Sequence, residues 1–223
     1  MSDLLPLFPL PSVVLFPNVF LPLHIFEARY REMVADALAG DRMIGMVLLR
    51  PGWEQDYEGR PSVFPVGCSG VITHVERLAD GRYNIVLRGV ERFRIVSEDH
   101  ERRYRRAVVD PLVQRALAPN EWPILRNQRA KLEGLIAPLV EKTGQLKPLQ
   151  AAREKSDSDP LGTRAMSDED LVNALAQYLD LEPIEKQALL EQDCLAGRAA
   201  GLVELIEMKM LMAKTPGRSN VAH

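Results

Sequence analysis

A serine flanked by glycines, "GCSG" around Ser69, is the first place in the chain where residue type and setting suggest a nucleophile. The nucleophile elbow, however, needs G-x-S-x-G on a sharp strand-to-helix turn. Here Val71 fills the last position and the pattern continues as strand, so the reading is a glycine-flexed strand. His24, His74, His100 and His223 stand singly, with no partner at ligand spacing. The acidic runs "EKSDSD" and "SDED" fit a polar loop and a helix start, where carboxylates complement the dipole. Neither has the glycine and late glutamate of a calcium loop. GxxxxGK[ST], GxGxxG and HExxH are all absent. No catalytic residue, cofactor or metal ligand is therefore expected, and the chain reads as a binding protein rather than an enzyme.

Two clusters have the chemistry of binding. "RPGWEQDYEGRPSVF" holds Trp53, Tyr57 and Phe64 among glycine, proline and acids. Such a loop either presents aromatic anchors to a peptide or folds back as a lid, and the sequence leaves both open. "HERRYRRAVV" sets Arg102, Arg103, Arg105 and Arg106 around Tyr104. On a strand, alternation sends Arg103 and Arg105 to one face and Arg102, Tyr104 and Arg106 to the other. Arginine beside an aromatic suits RNA phosphates and a stacked base. It equally suits an edge strand protected by charge. Glu98, Asp99 and Glu101 dilute the positive field and favour the second reading.

The elements that must carry these clusters fall into two halves. "EARYREMVADALAG" repeats apolar Tyr30, Met33, Val34 and Ala37/Leu38 at helical steps, with Gly40 suited to a left-handed helix end. "MIGMVLLR" is a continuous apolar run of the buried-strand type. "VGCSGVITHVERL" and "YNIVLRGVERFRIV" flank Asp80-Gly81, a favoured hairpin dipeptide, and "RYRRAVVDPLV" supplies one more strand. Gly67, Gly70 and Gly89 suggest bulges or bends that curl the sheet.

Beyond Pro119 the period becomes helical. Trp122, Leu125, Leu132, Ile136 and Leu139 share one face. "SDEDLVNALAQYL" opens on a Ser167–Asp170 capping pattern, "EPIEKQALLEQ" enters through Pro183, and Leu195, Ala199, Leu202 and Ile206 are in register on a last helix. The reading is α+β: residues 1–116 as a β domain with one short helix, then 117–214 as a helical bundle. A flexible loop is expected near 142–166 and a frayed tail over 215–223.

Residues 4–26, "LLPLFPLPSVVLFPNVFLPLHIF", are apolar enough to suggest a membrane span but hold five prolines. Each interior proline costs a helix about 3 kcal/mol, and lipid offers unpaired backbone nothing. A signal peptide would need a basic start and a small-residue cleavage site. The expected form is short extended segments, Leu4–Phe8 and Val19–Ile25, around a corner at Pro9–Pro17. Pro6 and Pro22 should then fall at sheet edges or bulges. A net charge of −3 attracts the chain neither to nucleic acid nor to an anionic membrane. Cys68 and Cys194 read as reduced packing residues, and the expected location is cytoplasmic. Lysine is absent until Lys131, so the first half uses only arginine.

The opening stretch also resembles the start of the substrate-binding domain of the Lon (La) ATP-dependent proteases. The resemblance is carried by Leu5-Pro6-Leu7, Pro9-Leu10, Val13-Val14, Phe16-Pro17, Pro22-Leu23 and the helix from Glu27. A second match is the hairpin with Val66-Gly67, Ile72, Asp80-Gly81, Val86, Gly89, Arg92 and Ile95. The segment from Leu179 to Met210 is similar to the helical extension of that family. The resemblance implies a PUA-like pseudo-barrel followed by a helical bundle, in a stand-alone protein lacking the ATPase and protease domains. It implies a non-catalytic module for unfolded or extended polypeptides, an adaptor or modulator of protein quality control acting with a protease or chaperone. A monomer or weak dimer is expected. Because PUA-type barrels elsewhere recognise RNA, RNA binding through Arg102–Arg106 is the alternative.

Overall fold

A computed structural model describes residues 4–57, 59–143 and 163–214. Six strands are β1 (Leu5–Leu10), β2 (Phe20–Ile25), β3 (Met43–Leu48), β4 (Val66–Arg77), β5 (Tyr83–Asp99) and β6 (Arg105–Pro111). Their order is β2-β5-β4-β3-β1-β6, and β5 also pairs with β6, which closes the sheet into a barrel. β1 and β3 run parallel, and the other pairs are antiparallel. The helix α1 (Ala28–Ala39) lies between β2 and β3. The helical half contains α2 (Trp122–Thr143), α3 (Asp168–Tyr178), α4 (Pro183–Leu190) and α5 (Leu195–Lys214). The architecture is α+β.

The barrel interior is small and full. Leu7, Val47, Phe93 and Ala107, one each from β1, β3, β5 and β6, form a compact buried cluster. Gly45 and Gly67 face it with hydrogens only; a Cβ on either would run into the Phe93 ring. The opposite strand faces carry Phe8, Met46, Leu48, Cys68, Ile72 and Leu87 into a larger core that is continuous with the helices. This explains why "MIGMVL" shows no alternation: both of its faces are buried. It also makes Cys68 inert, since burial pushes its thiol up to about 12.

Several local expectations change. Pro9 lies inside β1, opposite Val47, so the corner begins after Leu10. Pro22 sits on the edge strand β2. β1 is not an edge, yet Pro6 precedes the start of β3 pairing at Leu7, and Pro9 lies beyond the last β6 pair at Leu7. Each proline thus has one strand neighbour, where a missing N–H need not break a ladder bond. The β4–β5 turn is a three-residue loop: Gly81 N–H donates to Leu78 O, Leu78 N–H donates to Arg82 O, and Gly81 has φ 81°. Asp80 keeps a negative φ, so this is a type I turn with a left-handed glycine rather than a two-residue turn. Gly40 ends α1 at φ −111°; the left-handed residue is Arg42, at 66°.

In the helical half Leu125, Leu132, Ile136, Leu195, Ala199, Leu202 and Ile206 are buried as their spacing requires. Trp122 is instead half exposed, at 49%. Ser167 Oγ accepts the Asp170 N–H at 3.0 Å, capping α3. The side chain of Leu139, most of the loop near 142–166 and the tail 215–223 lie outside the described residues. The end of that loop is a 3-10 turn, Thr163–Ala165, held against α2 by Arg129.

Polar side chains from the helices read the backbone of the barrel. Gln177 accepts the Phe16 N–H, Asn173 donates to Pro17 O, Gln187 donates to Val66 O and Tyr178 donates to Phe20 O. In return Arg92 on β5 donates to Leu190 O at 2.9 Å and Gln192 O at 2.6 Å. None of the described helices is long and apolar enough to cross a membrane.

Candidate functional site

Two loops that are far apart in sequence meet at one end of the barrel. The first runs from β3 to β4. Gly52 takes a left-handed φ of 89° and starts the 3-10 turn Trp53–Asp56. The loop is then fastened to the start of α1. Tyr57 OH donates to Glu27 Oε1 at 2.6 Å, and the Arg29 guanidinium donates to Tyr57 O at 3.3 and 3.4 Å. Arg29 also lies over the rings of Tyr30 and Tyr57, at 4.7 and 5.2 Å, and pairs with Glu27 at 3.0 Å. Trp53 packs edge-on against Tyr57 with 5.4 Å between centroids. Both aromatics are half-buried. Phe64 is elsewhere: its N–H donates to Leu48 O, its ring lies under Arg50 at 4.9 Å, and it packs on the main core.

The second loop joins β5 to β6. β6 starts only at Arg105, so Arg102, Arg103 and Tyr104 precede it and the expected strand alternation does not apply to them. Tyr104 and Arg105 are consecutive and both buried. Tyr104 OH donates to Asp36 Oδ2 on α1 at 2.7 Å. Arg105 grips Glu98 with Nε and Nη2, at 2.8 and 2.7 Å, and gives Nη1 to Pro61 O. Arg106 is paired with Asp99, and Arg102 lies 3.8 Å from both Glu32 and Asp36. Arg103 alone of the four is exposed with no hydrogen bond or ion pair among the described residues.

Between the loops lies a small, partly open pocket of about 20 Å³, lined by Pro9, Leu49 and Pro61, by Tyr30, Tyr57 and Tyr104, and by Arg29, Arg60, Arg103 and Arg105. Tyr57 from the aromatic loop and Arg103, Tyr104 and Arg105 from the arginine segment therefore share one cavity. Trp53 stands beside it through Tyr57, and Phe64 does not reach it. Arg29 and Arg60 were not apparent from the sequence as site residues. The one signal that points to them is the exclusive use of arginine in the first half, since a planar fork can bond several carbonyls at once.

Burial sets the electrostatics. Tyr30 is pushed up to about 12, chiefly by desolvation and against the pull of Arg29. Tyr104 is pushed up to about 12 by desolvation and by its bond to Asp36. The Tyr57 phenol is raised by its bond to Glu27. The folded state therefore holds these protons more tightly than an unfolded tyrosine, which releases its own near pH 10. The stability they contribute is full below about pH 10 and is lost as pH rises toward about 12. Urea unfolding should show a flat stability up to about pH 9 and a decline above it, smaller in Tyr104→Phe. A flat profile to about pH 11, or an unaltered decline in the variant, would contradict this assignment.

The model of the ATP-dependent protease La (LON) substrate-binding domain matches residues 4–208. Over 220 residues, 99% of this chain and 25% of the relative, the sequence is 26% identical to Lon protease 2 of Myxococcus xanthus. It is 28% identical over 191 residues to Lon protease of Trichlorobacter lovleyi, covering 85% of this chain and 22% of the relative. The chain thus spans about a quarter of the length of these relatives. The fold is similar to the N terminal domain of Mycobacterium avium complex Lon protease, with a TM-score of 0.68 at 13% identity over 92% of this chain and 98% of that one. A Lon N-terminal domain protein from Xanthomonas campestris gives 0.52 at 22% identity, over 96% and 99%. A barrel with a helical extension, matched over nearly its whole length, places the chain in the Lon substrate-binding domain family.

Proposed function

We propose that this chain recognises unfolded or extended polypeptide at the barrel end where the aromatic and arginine loops meet, without itself catalysing a reaction. The observation that carries the reading is the match of residues 4–208 to a substrate-binding domain. The geometry supports it. The half-exposed Trp53–Tyr57 pair offers apolar contact beside a pocket rich in donors. Aromatic and arginine side chains are the types that dominate binding energy at interfaces. In this reading the protein works as an adaptor or modulator in cytoplasmic protein quality control, delivering or holding substrate for a protease or chaperone, as a monomer or weak dimer.

The test is retention of a fluorescent, reduced and carboxymethylated protein. Binding should persist in moderate salt, and Trp53→Ala with Tyr57→Ala should weaken it about tenfold. Unchanged affinity in that pair would remove the loop from the site. RNA binding has less to stand on, because Tyr104 is buried and Arg105 and Arg106 are ion-paired. It would be favoured instead if single-stranded RNA displaced the polypeptide and affinity fell steeply with salt.

A further inference from the structure

His24 and His74, which stand alone in the sequence, meet on the outer face of the sheet. Together with Pro22, Asn84 and Val86 they line an open hollow of about 330 Å³. Strand register puts them there. His24 of the edge strand β2 lies opposite Asn84 of β5, which in turn lies opposite Glu76 of β4. In the next row Val86 separates Pro22 from His74.

His24 is tied at both ring nitrogens. Nδ1 lies 2.7 Å from Asn84 Oδ1, and Nε2 lies 3.2 Å from Arg82 Nη1. Asn84 Nδ2 donates to Glu76 Oε2 at 2.8 Å, and Arg82 is paired with Asp80 at 2.6 Å. The direction of this chain is fixed at its two ends, because a carboxylate only accepts and a guanidinium only donates. Glu76 requires the amide nitrogen of Asn84 on its side, which leaves Oδ1 toward His24. Nδ1 must then carry the proton, and Nε2 must offer its lone pair to Arg82. Only the neutral Nδ1–H imidazole satisfies both neighbours. An imidazolium carries a proton at Nε2 as well, which faces a donor and sets two cations side by side.

The row ties the edge strand to the β4–β5 turn, where Arg31 of α1 also donates to Asp80 O at 3.4 Å. The other charged or titratable groups of this face hold neither ring nitrogen. His74 lies in the next row, Arg88 is opposite Phe20, and Arg77 lies over the Tyr83 ring at 5.9 Å. On β2's own side, Phe26 stacks on the imidazole with 6.2 Å between centroids.

We propose that His24 is a pH-dependent latch between β2 and the β4–β5 turn. Neutral, it holds Arg82; protonated, it releases it. The latch acts in the interval where imidazoles change charge, about pH 5 to 8, and acidification loosens the turn from the sheet edge.

Nitrogen NMR of the imidazoles should show His24 as the Nδ1–H tautomer at about pH 7.5. The amides of Leu78 and Gly81, whose bonds close the turn, report the release by hydrogen exchange. Corrected for the intrinsic effect of pH, their exchange should be about fivefold faster at about pH 5.5 than at about pH 7.5, the worth of two unit charges about 4 Å apart in water. His24→Gln, at an exposed position, should abolish this step, whereas His74→Gln should leave it intact. An Nε2–H tautomer for His24, a step below about twofold, or a step that survives His24→Gln overturns the latch. Loss of the step in His74→Gln alone assigns it to the other histidine and overturns it equally.

Discussion

Gly89→Ala should destabilise the protein by about 3 kcal/mol, at the upper end of what overpacking costs. The position looks unremarkable by burial, but the backbone leaves no room for a methyl group. Asn18 N–H donates to Gly89 O and Gly89 N–H donates to Val19 O, both at 2.9 Å, so the 16–19 turn is bonded directly across the glycine. A Cβ at 89 would overlap the Phe16 carbonyl oxygen and crowd Pro17 Cα. These are main-chain atoms and cannot rotate away. Phe16 and Pro17 are in turn the groups that Gln177 and Asn173 of α3 bond, so displacement of the turn also strains the joint with the helices. Urea unfolding checks this. A loss below about 0.5 kcal/mol would mean that the turn can shift freely.

Arg92→Met should cost about 2 to 4 kcal/mol, although it replaces a buried cation by an apolar side chain of similar length. Burial lowers the Arg92 pKa, so the charge itself is held at a cost. What the arginine supplies is a donor to Leu190 O and Gln192 O, at the C-terminus of α4. Methionine would leave both carbonyls without that donor, and a helix C-terminus without its cation. Because one apolar core runs through barrel and helices, the parent should unfold in a single transition. Arg92→Met should lower its midpoint and not its slope. A variant as stable as the parent would show that Arg92 is dispensable to the joint.

The elements were largely legible in the sequence, for physical reasons that differ along the chain. The positions Leu195, Ala199, Leu202 and Ile206 form a stripe because one helix face is buried, and the same holds for Tyr30, Met33 and Val34. "MIGMVL" was legible as a strand only because an apolar run of that length, buried on both faces, has few other forms. The prolines of residues 4–26 excluded a helix but did not locate the corner. Pro9 remains inside β1 because pairing with β6 has already ended there.

The site was legible only in pieces. Trp53, Tyr57 and the arginine segment stand out by residue type, but their meeting depends on β1, β3 and β6 being neighbours in the barrel, which is a long-range fact. Strand alternation misplaced Tyr104 and Arg105 because the strand starts one residue later than Tyr104. Arg29 and Arg60 gave no local signal, since their roles come from carbonyls and rings contributed by other segments.

Extended polypeptide bound at the barrel end formed by the two loops should shield the backbone there from solvent. Amide hydrogen exchange with and without a saturating, permanently unfolded polypeptide tests it most directly. Slowed exchange confined to the segments 50–61 and 99–106 and the start of α1 is the predicted result. Protection confined to the helical half, or no protection anywhere at saturation, would contradict it.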